Sequence, residues 1–143
     1  MMKNLVMIAF VIVCAFAMTA HSQQEVGTNV SMIELIANPD RFNGKPVLVR
    51  GYLRLEHEGD VLYLSETDFL HGIPKNGLWV ERSPEMTRDI EKLDSNYVLL
   101  LGIFNPRNKG HRSLASGSIE KVRSCTLWSK TKEPIALRLR ESK

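Results

Sequence analysis

The sequence predicts an all-β fold with two short helices, a five-stranded Greek-key barrel of the OB type. Three observations carry this. The elements after the N-terminal segment run helix, three strands, helix, two strands, which is the OB order. The long first strand has a glycine, Gly51, where it must bend to serve two sides of a barrel. The helix between the third and fourth strands has a single apolar face, suited to plugging a barrel end.

The 143-residue chain opens on Met1-Met2-Lys3-Asn4, one positive charge, followed by an uncharged apolar run from Leu5 to Met18. Thr19, Ala20, His21 and Ser22 come next, ahead of a polar stretch. This is the pattern of a signal peptide, and the run is shorter than the roughly 20 residues a spanning helix needs. Cleavage is expected after Ser22, or after Ala20 as the second choice, giving a signal peptide over 1–22 and no permanent membrane span in the mature chain. Val13 is too large for the position before a lipidated cysteine, which speaks against acylation of Cys14. The protein is expected to be exported, periplasmic or secreted. Removal of Cys14 leaves Cys125 alone, so the fold must rest on packing rather than an internal disulfide. Cys125 reads as a buried small hydrophobe.

Residues 23–30 are polar and read as a flexible or extended segment, and 31–129 as the OB-like domain. Ser31-Met32-Ile33-Glu34 is a capping box opening a helix with Met32, Ile33, Leu35 and Ile36 on its apolar face. Asn38-Pro39 ends it. From Val47 to Glu56 apolar residues and Gly51 alternate with Leu48, Arg50, Tyr52 and Arg54, the period of a strand. A polar turn around Gly59 leads into a second strand at Val61 to Ser65, forming a hairpin. Glu66 to Asn76 reads as a polar connection, and Leu78-Trp79-Val80 as a third strand. Ser83-Pro84 opens the plug helix, with Met86, Ile90 and Leu93 on its buried face. Tyr97 to Phe104 is the fourth strand, Asn105 to Gly117 a long loop, and Ser118 to Trp128 a fifth strand whose irregular pattern suggests a bulge. The basic tail, 130–143, holds an alternation of Ile135, Leu137 and Leu139 that suits a sixth edge strand or a frayed end.

The runs Gly51-Tyr52-Leu53-Arg54-Leu55-Glu56-His57-Glu58-Gly59, Leu62-Tyr63-Leu64 and Asn76-Gly77-Leu78-Trp79-Val80 carry a resemblance. So do Gly102-Ile103-Phe104-Asn105, Gly110-His111 and Ser116-Gly117-Ser118-Ile119. Together they resemble a family of small exported bacterial proteins without an assigned activity. The resemblance spans about Ile33 to Trp128, implies an OB-like domain and brings no catalytic residues.

Charge is unevenly placed. From Gln23 to Asn105 eight Lys and Arg stand against thirteen Asp and Glu; from Pro106 to Lys143 ten stand against three. In an OB barrel the loops after the first and fourth strands flank the binding face. The first, Glu56 to Asp60, is acidic; the second carries Arg107, Lys109, His111 and Arg112. With Tyr63 and Trp79 on the neighbouring strands, these six are the candidate ligand residues, suited to an anionic group. Nucleic acid is disfavoured, because the acidic half of the chain opposes a phosphate backbone. No close histidine pair or CxxC spacing marks a metal site, no catalytic motif is present, and no cofactor is implied. Asp60, Glu81, Arg50 and Arg107 supply the residue types of a metal-dependent nuclease without its spacing. The reading is an exported, non-enzymatic OB-type binding or interaction module of the cell envelope, its partner an anionic saccharide or another envelope protein. The alternative is a hydrolase acting on a phosphorylated or glycosidic substrate. A third reading is a structural protein that pairs through an exposed strand edge, the Ile135 to Arg140 tail.

Overall fold

The computed structural model describes residues 27–57 and 59–128. The expected signal peptide and the tail from residue 130 lie outside the described residues. The elements are β1 (Thr28–Asn29), α1 (Met32–Ala37), α2 (Pro39–Phe42), β2 (Pro46–Arg54), β3 (Val61–Tyr63) and α3 (Glu66–Leu70). A single 3-10 turn, Pro74–Asn76, leads to β4 (Gly77–Val80), α4 (Pro84–Arg88), α5 (Ile90–Leu93) and β5 (Asn96–Asn105). A second 3-10 turn, His111–Ser113, precedes β6 (Ser118–Leu127).

The strands lie in the order β1-β2-β3-β4-β6-β5, and β5 pairs back onto β2, closing a five-stranded barrel from β2 to β6. The β4–β6 contact is parallel and two residues long; the other barrel pairs are antiparallel. This is the expected all-β, OB-type barrel. One strand is added to it: Thr28 and Asn29 pair in parallel with Val47 and Leu48. Within the stretch read as flexible or extended, Thr28 and Asn29 are extended and belong to the sheet, and Val30 beside them is buried.

β2 runs the length of the barrel because it serves two neighbours. Pro46 to Leu53 pair with β5, and Tyr52 to Arg54 pair with β3. Gly51 stands where the second pairing begins. A β-carbon there would lie 2.5 Å from the Tyr63 carbonyl oxygen and 2.8 Å from Leu62 Cγ, so the strand crossing requires glycine. Val47, Val49, Leu53 and Leu55 all face the core, as the alternation predicts. The irregularity expected in the last strand is a register shift opposite Leu101 and Ile103, with Lys121 at φ +47°.

Among the described residues five short α-helices replace the two expected. Ser31 accepts from the Glu34 amide at 3.1 Å, but the Glu34 carboxylate turns to Arg41 instead of completing the capping box. Met32 and Leu35 are buried, whereas Ile33 is 63 % exposed, so the apolar face is narrower than predicted. Pro39 ends α1 and occupies the first turn of α2, where its missing N–H costs nothing. The Glu66 to Asn76 connection contains α3, capped by Ser65. The plug helix breaks at Asp89 into α4 and α5, yet Met86 and Leu93 both reach the core with Ile90 packed beside them. Among the described residues no helix is long and apolar enough to cross a membrane.

Candidate functional site

Side chains on β2, β3 and β4 alternate between core and outer face. Leu53, Leu62, Leu78 and Val80 point inward. The outer row is fixed by register: Tyr52 stands opposite Tyr63, and Tyr63 opposite Gly77; Arg54 stands opposite Val61, and Val61 opposite Trp79. This outer face is the usual OB ligand surface. Two segments of the chain fold over it.

The first is α3. Phe69 packs on Tyr63 at 5.5 Å between ring centroids and on Tyr52 at 6.1 Å, and the Arg54 guanidinium stacks on Phe69 at 4.3 Å. Tyr52 is thereby buried although it faces away from the core. Asp68 holds the segment together, accepting from Ser65 Oγ and from Asn76 Nδ2 at 2.7 Å. The Ser65 bond, with help from Asn76, draws the Asp68 carboxyl below its ordinary value.

The second is the β5–β6 loop. Asn105 Oδ1 accepts from the amides of Arg107 and Asn108, and Asn108 Oδ1 from that of Gly110. Glu120 ties these turns together: its Oε1 accepts from Asn105 Nδ2 and Asn108 Nδ2, both at 2.9 Å, and from Ser118 Oγ at 3.0 Å. Burial pushes the Glu120 carboxyl up, but the three hydrogen bonds together with Lys121 outweigh it and leave the group below its ordinary value. The loop ends against the turn at Pro74–Asn76, where Lys75 Nζ donates to the Ser113 carbonyl and Ser116 Oγ to the Lys75 carbonyl.

Between the β2–β3 and β5–β6 loops lies an open cleft of about 310 Å³, lined in part by Glu56, Tyr63, Pro74, Trp79, His111 and Leu114. Three of the six predicted residues, Tyr63, Trp79 and His111, meet here. Arg107, Lys109 and Arg112 do not line the cleft and stand exposed on the loop that forms one wall. Arg54 holds Glu56 at 3.1 Å. The Tyr63 hydroxyl is raised by burial first and by the Glu56 charge second, with Arg54 opposing. The β2–β3 loop is pinned by Arg82, which grips both oxygens of Asp60 and donates to the Glu56 carbonyl at 3.0 Å.

The residue types of a nuclease do not assemble. Asp60 is held by Arg82, Glu81 accepts the Lys121 amide at 2.7 Å, and Arg50 stacks on Trp128 at 4.2 Å. Among the described residues no three His, Cys, Asp or Glu side chains come together as a metal site would need. Sequence reasoning missed Pro74 and Leu114 as cleft residues, and Arg82 and Glu120 as the groups that hold the two loops; it placed Glu56 in a loop flanking the binding face without counting it among the ligand residues. Of the missed cleft residues Pro74 carried a signal, as a proline in a turn region.

No protein-family model and no curated protein matches the chain. A solved structure described as an aspartyl-tRNA synthetase from Leishmania major Friedlin overlaps 85 % of the chain at 13 % identity with a TM-score of 0.39, and the overlap spans 25 % of that protein. The likeness says nothing of activity.

Proposed function

We propose that the chain is an exported, non-enzymatic binding module of the cell envelope that receives its ligand in the cleft between the β2–β3 and β5–β6 loops. One observation carries this reading. Tyr63, Trp79 and His111, distant in sequence, converge with Glu56 on one open cleft at the OB ligand face. A hydrolase would need carboxylates and cations gathered around a reacting bond; among the described residues a single carboxylate lines the cleft, paired with Arg54. Stacked nucleobases would need open aromatic faces; Gly110 lies over the Trp79 ring and Phe69 packs on Tyr63. Export rests on the pattern from Met1 to Ser22. The partner is an envelope protein or an anionic saccharide.

The test is capture from envelope extract with residues 23–143 as bait. The native chain is compared with Trp79→Ala and with the triple change Arg107→Ala, Lys109→Ala, Arg112→Ala. Capture that survives Trp79→Ala sinks the cleft as the ligand seat. Capture that survives the triple change sinks the role of the basic loop.

A further inference from the structure

We propose that the occupant of this cleft is an acidic segment of a partner protein that inserts a large apolar side chain. The proposal rests on the cleft being the ligand seat. It adds the chemistry of the ligand and chooses between the two partner classes.

The lining argues for an apolar insert. Val61, Pro74, Leu114 and Ala115 offer no hydrogen-bonding side chain. Among the described residues those with polar side chains in the lining are Glu56, Tyr63, Trp79 and His111, and Glu56 is already engaged by Arg54. A sugar ring carries hydroxyls around its whole edge and loses affinity wherever one is buried without a partner. An aliphatic or aromatic side chain has no such requirement.

The surroundings argue for a polypeptide. Leu114 is 50 % exposed in the cleft wall, Ile73 beside Pro74 is 41 % exposed, and Leu70 at the end of α3 is 69 % exposed. Leu114 lines the cleft beside Pro74, and Ile73 adjoins Pro74 in the chain; exposed large apolar residues of this kind occur at protein contact surfaces. A small sugar in the cleft would leave the exposed part of Leu114 wet, whereas a passing chain segment would cover it.

Charge selects the kind of segment. Among the described residues Arg107, Lys109 and Arg112 form no ion pair, and Lys75 sits across from them with its ammonium on the Ser113 carbonyl. Among the described carboxylates nearby, Glu56 is paired with Arg54 and Asp60 with Arg82, while Glu120 is held by Asn105, Asn108 and Ser118. Arg107, Lys109 and Arg112 thus outnumber the one unpaired carboxylate described on that loop, and the complementary partner is acidic.

The experiment pans a random dodecapeptide library on phage against immobilised residues 23–143, then measures selected peptides by fluorescence anisotropy. The expected peptides place a leucine, isoleucine, methionine or phenylalanine within a few residues of aspartate or glutamate. Their affinity is expected to fall on the order of tenfold in Leu114→Asp, the effect of spoiling one buried contact, and to fall with added salt. Leu114 is exposed, so this variant keeps the fold; Arg88→Ala, at an exposed position of α4 that does not line the cleft, is the control. Selection of no peptides, of basic peptides, or of peptides indifferent to Leu114→Asp overturns the proposal. So does polygalacturonate binding that Leu114→Asp weakens when no peptide binds, a result that leaves the cleft as ligand seat and assigns it to saccharide. Envelope capture unaffected by Trp79→Ala, by contrast, removes the ligand seat itself.

Discussion

Gly110 lies against the indole of Trp79, so close that a β-carbon on it would clash with the ring. Its backbone, at φ +67° and ψ −163°, sits in a region that only glycine occupies without strain. Arg112 and Ser113, two and three residues on, both have positive φ. The loop thus spends conformational energy to bring His111 to the cleft, with its approach set by the face of Trp79.

Gly110→Ala is expected to destabilise the protein by about 1–3 kcal/mol, from the unfavourable backbone region and the ring overlap combined. Denaturant unfolding followed by tryptophan fluorescence measures both effects at once. The emission of Trp79 should also shift in the folded state as the loop lifts. An unchanged midpoint and spectrum would falsify the packing described.

Arg82→Gln is expected to cost about 1.5–3 kcal/mol through loss of charge-assisted hydrogen bonds to Asp60. The loosening should be local. Amide exchange in residues 55–60 is expected to accelerate more than exchange in β5. Equal acceleration throughout would mean that Arg82 supports the barrel generally and not this loop.

Acid should weaken the two covers of the ligand face. Asp68 and Glu120 are both held below their ordinary carboxyl values of 3.8 and 4.5. A carboxyl depressed in the folded state contributes stability above its unfolded value and loses it as pH falls through the folded one. Stability is therefore expected to decline from about the ordinary carboxyl values downward. Glu120→Ala should flatten part of that decline and lower stability at neutral pH by about 1 kcal/mol. An acid limb of the same slope in the variant would remove Glu120 from the account.

The Cys125 thiol is pushed up to about 12 by burial. Thiolate is the reactive form, so native protein at neutral pH is expected to react with Ellman's reagent only slowly and to react fully once unfolded. Rapid labelling of the native chain would place Cys125 outside the packing that surrounds it here.

Much of the barrel was legible because strands that are buried on one side must alternate. Val47 to Leu55 displays the period without interruption, and Gly51 marks the crossing where a side chain has no room. The plug helix was legible from Met86, Ile90 and Leu93 at helical spacing. By contrast α3 was not read, because Phe69 is the one large apolar residue in five that turns inward, and Gly72 and Pro74 nearby look like loop. For the cleft, residue type was legible and position was not. A basic loop can be counted from sequence, but its path over Trp79 depends on Glu120, which meets Asn105 and Asn108 because β5 and β6 pair without interruption from Ile103–Glu120 to Asn105–Ser118. That is why His111 reaches the cleft while Arg107, Lys109 and Arg112 remain outside it.

The pairing of β2 with β5 also bears on how the chain reaches its fold. Val49 and Leu100 lie side by side, yet the β3, β4 and helical segments between them must all be made before they can meet. Contacts of such long sequence separation form late and slowly, because loop closure comes before its reward. A chain emerging N-terminus first can make the β2–β3–β4 meander early, but one flank of β2 stays open until Asn96–Asn105 arrives. Fragments ending before β5 are then expected to be readily proteolysed, and the last third of the protein decides when it becomes a closed body.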